Sequence, residues 1–456
     1  MDETLKQLLD IVEKYRIPLL FIIFVITFSF FIAIRPYEQD ESHAILAGLE
    51  VIKGEVDPAR PFYQYNYSNP FCFIVGGPFI PIIYALMYLI GGFYLVRIFV
   101  MVSVLGSIYL VHIILKRRGG NSFYTVLLIG FSSSTILLAS NAFLDSCALL
   151  FFMATIYLYE SGKFFKAGML GGLAAISKFI LFLPSSLFVI YLVLKRKGMK
   201  YVLGFLLLVI PFVIYYSLTL DLIINDFLLA TKLVEPGFGD LLSFLYVIAS
   251  ALPVLSVIAI ALLVRIRKQL KMKYLLLPLL SILLFHMLTL QFDSFRRHMP
   301  YIEFSAAIIV GLHYKKINLK LYILILAFML ISLHNAYDYA SGYPSYNIIQ
   351  SELADVDGRV LALNQFAYTL IRDLPLNVSA LELSNYYYFD YNGDLVPGIE
   401  DYEQALQRGY FNYALISSYS PESFPRYVLI ENLVREYYCP VYETNRYNGI
   451  DIYKRC

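Results

Sequence analysis

The sequence predicts an α-helical polytopic membrane protein with about eleven transmembrane helices and a small C-terminal extracytoplasmic α/β domain. Three observations predict it. The chain is 59% hydrophobic and only 15% charged, where a soluble domain averages roughly 25% charged. Its apolar runs repeatedly approach or exceed the roughly 20 residues that cross a bilayer. Charge is also divided along the chain. Residues 341–456 hold eight basic and fifteen acidic side chains, a formal −7, which leaves +9 for the rest. There is no tryptophan among 40 tyrosines and 35 phenylalanines, so tyrosine has to supply most of the interfacial aromatic belt.

Residues 1–16 are a charged, mixed start on the cytoplasmic side. The apolar span at 17–35 is too long for a signal-peptide core and lacks a small-residue cleavage site, so it reads as a retained helix. A polar loop follows with Asp40, Glu41 and His43 at the membrane exit. Beyond it Ile45, Leu49 and Ile52 fall at helical spacing, the pattern of a short amphipathic helix able to lie on the bilayer surface. The run Arg60 to Pro70 is rich in tyrosine and proline. Residues 71–92 are apolar but interrupted by Gly76, Gly77, Pro78 and Pro81.

The positive-inside rule orders the rest. Basic clusters lie at Lys116 to Arg118, at Lys163 with Lys166, at Lys195 to Lys200, at Arg265 to Lys273, and at Lys315 to Lys320. If all face the cytoplasm, an even number of crossings separates each from the next. Spans at about 93–115, 121–140, 143–160, 166–179, 180–195, 200–218, 241–264, 274–291, 299–314 and 319–336 meet that condition. With the first span they make eleven, the N-terminus inside and the C-terminus outside. Segment 71–92 is then a re-entrant or surface helix, as its glycines and prolines allow. Residues 1–340 form the membrane domain, with 36–92 an extracytoplasmic loop, and 341–456 form the outer domain. Strands are expected there at 359–364, 378–383, 413–418 and 449–453, and helices at 367–373, 399–408 and 421–438. Cys439 and Cys456 are as consistent with a bridge in an oxidising exterior as with unpaired burial. Asn66 and Asn377 open outward-facing glycosylation sequons.

This topology collects Asp40, Glu41, Asp145, Lys178, Arg296, Arg297 and His298 on the outer side. Ionisable groups at membrane depth are costly and mark function by default. The set suits attack of a hydroxyl on the anomeric carbon of a sugar carried by a lipid phosphate. A carboxylate, Asp40 or Glu41, takes the hydroxyl proton. Cations, Lys178 with Arg296 or Arg297, meet the charge developing on the departing phosphate. Each residue also has a plainer role. Asp40 or Ser42 caps a helix, Asp145 or Asn141 caps the span that Asp145 starts, Lys178 snorkels, the arginines are interfacial anchors, and His286 and His298 are helix-packing polars. Asp40, Glu41 and Asp145, with His43, could hold a divalent cation, although no motif requires any cofactor.

Five features in chain order resemble the GT-C fold glycosyltransferases that use lipid-phosphate sugars, specifically glycosyltransferase family 39, the protein O-mannosyltransferase and aminoarabinose-transferase type. They are Asp40-Glu41 followed by Ala47, Gly48 and Gly54; the aromatic run to Asn69-Pro70 with Gly91-Gly92 and Arg97; Asp145 at an outer helix start; the Gly-rich run from Lys166 to Lys178; and Arg296-Arg297 with Tyr301. The likeness covers about 36–301. It implies that Asp40 is the catalytic carboxylate of an inverting transfer and that Lys178 and Arg296 or Arg297 lie near the lipid phosphate, with His43, Asp145 and Tyr301 as further site candidates. It implies as partners a polyprenyl-phosphate sugar (dolichyl or undecaprenyl), a hydroxyl acceptor on protein, lipid or glycan, and the bilayer of the plasma membrane, and no nucleic acid. The chain departs from the family at Ser68-Asn69-Pro70, where a basic residue or histidine would precede proline. Lacking tryptophan, it cannot carry the oligosaccharyltransferase signature. A transporter or flippase for a lipid-linked sugar is the competing reading, but it calls for paired broken helices in matching halves, and no matching halves are seen.

Overall fold

The computed structural model describes residues 3–34, 41, 44–45, 48–49, 51–52, 79–195, 198–217, 281–282, 295–313, 326–327, 329–337, 353, 355–362, 378–383, 404–417, 427–443 and 450–456. Two compact units divide the chain: residues 1–33, 94–212 and 236–337 in the first, 34–93, 213–235 and 338–456 in the second. The protein is mostly helical. Two described helices, Tyr15–Ile34 and Phe79–Arg117, are long and apolar enough to cross a membrane. The spans expected at 241–264 and, apart from 281–282, at 274–291 lie outside the described residues.

In the first unit α1 (Glu3–Ile34) begins in a charged segment and is apolar all round from Ile17 onward, as a helix that crosses a membrane must be. Leu20, Phe24, Phe28 and Phe31 are buried, while Ile22, Ile26 and Phe30, four residues apart, are exposed. That exposed apolar stripe is the face a bilayer would cover. Next comes α2 (Phe79–Arg117), two helices joined at Gly91-Gly92, of which residues 94–117 belong to the first unit and 79–93 to the second. Gly92 has φ 65° and ψ −165°, a conformation open essentially to glycine alone.

The expected span at 121–140 is not one straight helix. It is α3 (Ser122–Gly130) and α4 (Ser133–Ser140), bent by 63°. Gly130 and the serine run 132–134 weaken the helix at that point, because serine hydroxyls compete for backbone groups. There follow α5 (Leu144–Glu160), α6 (Phe164–Ser177), α7 (Phe179–Leu194), α8 (Met199–Ser217) and α9 (Phe295–His313). The glycines of α6 serve close helix packing: a Cβ on Gly168 would collide with the Tyr201 carbonyl of α8.

Contacts fix the direction of these helices within the unit. At one end Arg118 pairs with Glu160, Arg117 Nη2 donates to Tyr157 Oη at 2.8 Å, the Asn121 amide donates to the Gly311 carbonyl at 2.7 Å, and Arg16 lies over the Phe123 ring. At the other end Arg97 Nη1 donates to the Ile32 carbonyl at 3.2 Å, and Tyr301 meets Asp145. The chain therefore runs alternately between a basic end and an opposite end. The pair α3–α4 leaves the basic end at Asn121 and reaches the opposite end at Asn141, so its bend does not turn the chain back on itself.

In the second unit Glu41, Ala44, Ile45 and Leu49 are helical and buried, and Ile52 is exposed. A Cβ on Gly48 would collide with the Pro81 carbonyl of α2. The expected amphipathic helix thus packs its apolar face on protein. The C-terminal part is a five-stranded mixed sheet in the order β2-β1-β3-β5-β4, made by β1 (Gly358–Ala362), β2 (Val378–Leu383), β3 (Tyr413–Ser417), β4 (Tyr438–Tyr442) and β5 (Ile450–Arg455). The first three strands pair in parallel, and β3–β5 and β5–β4 are antiparallel. Helix α10 (Tyr427–Tyr437) packs on β4 and β5, around a core that includes Leu361, Phe411, Ile416, Val434 and Tyr453. β4 was not expected from the sequence. Cys439 and Cys456 form a disulfide that joins β4 to the residue after β5.

Candidate functional site

At the end opposite the basic clusters, three helix termini of the first unit meet. Asp145 stands in the first turn of α5. Lys178 is the single extended residue between α6 and α7, with φ −149° and ψ 117°. His298 and Tyr301 lie in the first turns of α9. Lys178 Nζ is 2.9 Å from Asp145 Oδ2, and both side chains are buried. Tyr301 Oη donates to Asp145 Oδ1 at 2.9 Å and is also 3.2 Å from the Asp145 carbonyl oxygen. His298 Nε2 is 3.9 Å from the same Oδ1. Asp145 is only 1% exposed, yet it keeps a cation and a hydroxyl donor, the condition under which a buried carboxylate is tolerated.

The local sequence explains the geometry. A carboxylate in the first turn of α5 is favoured by that helix terminus. The α6 helix stops at Lys178 because the residue is extended there, and the next helix restarts at once. Neither Asp145 nor Asn141 caps α5 through its side chain. The N-cap is Phe143, with no side-chain cap bond. Helices α5 and α6 rise only about 24 and 20 Å at 1.5 Å per residue, shorter than a hydrocarbon core of about 30 Å.

The other sequence-predicted residues fall as follows. Asp40 and His43 lie outside the described residues. Glu41 is fully buried in the second unit. Arg296 and Arg297 belong to the first turn of α9, and their side chains lie outside the described residues. Among the described residues no group of three or more His, Cys, Asp or Glu side chains could hold a metal ion.

One buried group was not anticipated. Glu303 Oε2 accepts hydrogen bonds from Ser132 Oγ and Ser134 Oγ, each at 2.6 Å, at the break between α3 and α4. The signal for it was an acidic residue inside the apolar run of α9. Arg97, buried in α2, ties down the end of α1 through the Ile32 carbonyl, eight residues before Asp40 in the sequence.

No protein-family model matches the sequence, and no curated protein matches it. Among solved structures the chain is similar to ArnT from Cupriavidus metallidurans bound to undecaprenyl phosphate, at 13% identity and a TM-score of 0.48 over 96% of this chain and 97% of that one. It is similar to apo ArnT from the same organism at 12% identity and a TM-score of 0.49, over 97% and 98%. It is also similar to the arabinofuranosyltransferase AftD from Mycobacteria at 12% identity and a TM-score of 0.44, over 95% of this chain and 40% of that one.

Proposed function

We propose that this integral membrane protein is an inverting glycosyltransferase that moves a monosaccharide from a polyprenyl phosphate to a hydroxyl of protein, lipid or glycan at the outer membrane face. The observation that carries the reading is the buried Asp145–Lys178 pair, held by Tyr301 at the helix ends remote from the basic clusters. In the proposed reaction Asp40 accepts the proton of the acceptor hydroxyl. The hydroxyl oxygen bonds to the anomeric carbon from the face opposite the phosphate, and the bond from that carbon to the phosphate oxygen breaks. The polyprenyl phosphate leaves with the bonding electrons.

Lys178 suits the leaving phosphate because an ammonium has three donors. Asp145 Oδ2, 2.9 Å away, balances its charge, and the N–H groups serve the phosphate oxygens. Asp145 and Tyr301 are in this reading positioning residues that hold the lysine, while Arg296 or Arg297 supplies a second cation. The basic ends face the cytoplasm. The Cys439–Cys456 disulfide fits a C-terminal domain in an oxidising exterior.

The test is a transfer assay with purified protein in lipid, a radiolabelled polyprenyl-phosphate hexose and a membrane extract as acceptor. Label should move with wild type and not with Asp40→Asn of equal folded yield. Transfer retained by Asp40→Asn removes the base from Asp40. Label that crosses sealed vesicles without changing carrier makes the protein a flippase.

A further inference from the structure

Two polar side chains close in sequence to members of the ion pair have no hydrogen-bond partner among the described residues, although both are fully buried. They are Asn141, with both Oδ1 and Nδ2 unpartnered, and Ser177, with its Oγ unpartnered. Their places in the chain are parallel. Asn141 is the extended residue that ends α4 and leads, four residues on, to Asp145. Ser177 is the last residue of α6, immediately before Lys178. Each is thus carried by the same helix break that carries one member of the pair.

A buried amide without partners loses its hydration for nothing in return, and native structures rarely leave one so. Two neighbouring serines are treated differently. Ser140 Oγ donates to the Leu137 carbonyl at 3.1 Å, and Ser146 Oγ donates to the Leu138 carbonyl at 3.0 Å. Local backbone partners therefore exist for serines on either side of Asn141, yet its amide engages none.

Resting on the glycosyltransferase reading, we infer that Asn141, assisted by Ser177, recognises hydroxyls of the donor sugar next to the phosphate held by Lys178. The chemistry selects this ligand. A carboxamide offers two donors and an acceptor without charge, which matches the paired donor and acceptor of a sugar hydroxyl. A phosphate, with acceptors only, is served by Lys178 instead. A site that hydrogen-bonds a substrate hydroxyl discriminates strongly against ligands without it, because its own polar groups are then left unmade. Asn141 would therefore set sugar preference, and Lys178 would bind any polyprenyl phosphate.

The experiment compares full-length wild type with Asn141→Leu and Ser177→Ala in lipid nanodiscs. The probes are bare undecaprenyl phosphate and undecaprenyl phosphate bearing mannose or arabinofuranose. Wild type should bind one of the sugar-bearing lipids more tightly than the bare one. Asn141→Leu should erase that gain, by about tenfold for a lost hydrogen bond, while binding bare undecaprenyl phosphate as wild type does. Its melting temperature without ligand should be equal or higher, because an apolar group of similar shape replaces an unsatisfied one. Ser177→Ala should lower the gain by less. An unchanged sugar gain in Asn141→Leu, or a lowered melting temperature with equal weakening of both lipids, overturns the inference and leaves the glycosyltransferase reading standing. Wild type that binds neither lipid overturns both.

Discussion

Lys178 Nζ and Asp145 Oδ2 lie 2.9 Å apart with both side chains withdrawn from solvent. Each charge is tolerated because the other is there. Breaking such a pair from one side leaves an uncompensated buried charge and costs about 3–5 kcal/mol, whereas replacing both members by apolar groups is often neutral or stabilising. Lys178→Met should therefore destabilise the protein by about that amount. The double variant Lys178→Met with Asp145→Leu should recover most of it. Transfer should be absent in both. Thermal unfolding followed by circular dichroism in lipid or detergent, beside the transfer assay, separates the two effects. A double variant that transfers sugar would remove Lys178 from the phosphate.

Tyr301 supplies the second bond to Asp145 from α9. Without its hydroxyl, Asp145 Oδ1 loses a donor, a loss of about 1.5–3 kcal/mol for a hydrogen bond to a charged group. Tyr301→Phe keeps the ring, which packs edge-on against Phe152. The expected outcome is a lower melting temperature with the fold retained, and slower transfer through a less firmly held Lys178. Unchanged stability and unchanged rate together would show that the contact does no more than fill space.

Glu303 joins α9 to the break between α3 and α4 through Ser132 and Ser134. The same helix carries His298 and Tyr301 to Asp145, so the glutamate also fixes the position of the site. Glu303→Gln retains an acceptor oxygen for the hydroxyls and should cost less than about 1 kcal/mol. Glu303→Ala leaves the buried Ser132 and half-buried Ser134 hydroxyls with only each other, 2.8 Å apart, so one of them loses its acceptor, at a cost of about 1–3 kcal/mol. Melting temperatures of the two variants decide it, and equal losses for glutamine and alanine would show that only side-chain volume matters.

Much of the first unit was legible because hydropathy and charge are local signals. Glycine at 91 and 92 marked a helix end, and a lysine inside an apolar run marked the turn at Lys178. The basic clusters at Lys116 to Arg118 and at Lys163 fall at one end of the unit, where Arg118 meets Glu160. The break at Phe131–Ser132 was not legible. Its polar partner Glu303 is 171 residues away from Ser132, and an apolar window cannot register a partner at that distance. The same limit hid β4, whose antiparallel pairing depends on β5. At the site, Asp145, Lys178 and Tyr301 came from the apolar context of each charge and from a family resemblance. Asn141 was visible only as a candidate cap, because being unpartnered is a property of packing and not of sequence.

The Cys439–Cys456 bridge closes a covalent loop with a sequence separation of 17 residues. For a loop near that length the constraint on the unfolded chain is worth about 3 kcal/mol. Replacing both cysteines by serine should therefore loosen the C-terminal sheet, where β5 is paired on both edges, with β3 and β4. Helix α10 packs on the same two strands, so it should be exposed along with them. The check is limited proteolysis of the intact protein with and without reductant, with cleavage sites mapped by mass spectrometry. New cuts after reduction should fall between residues 427 and 456, and the double serine variant should show them without reductant. Cleavage that is unchanged in both would mean that the sheet holds its edge strand by pairing and the core around Phe411 and Val434 without help from the bridge.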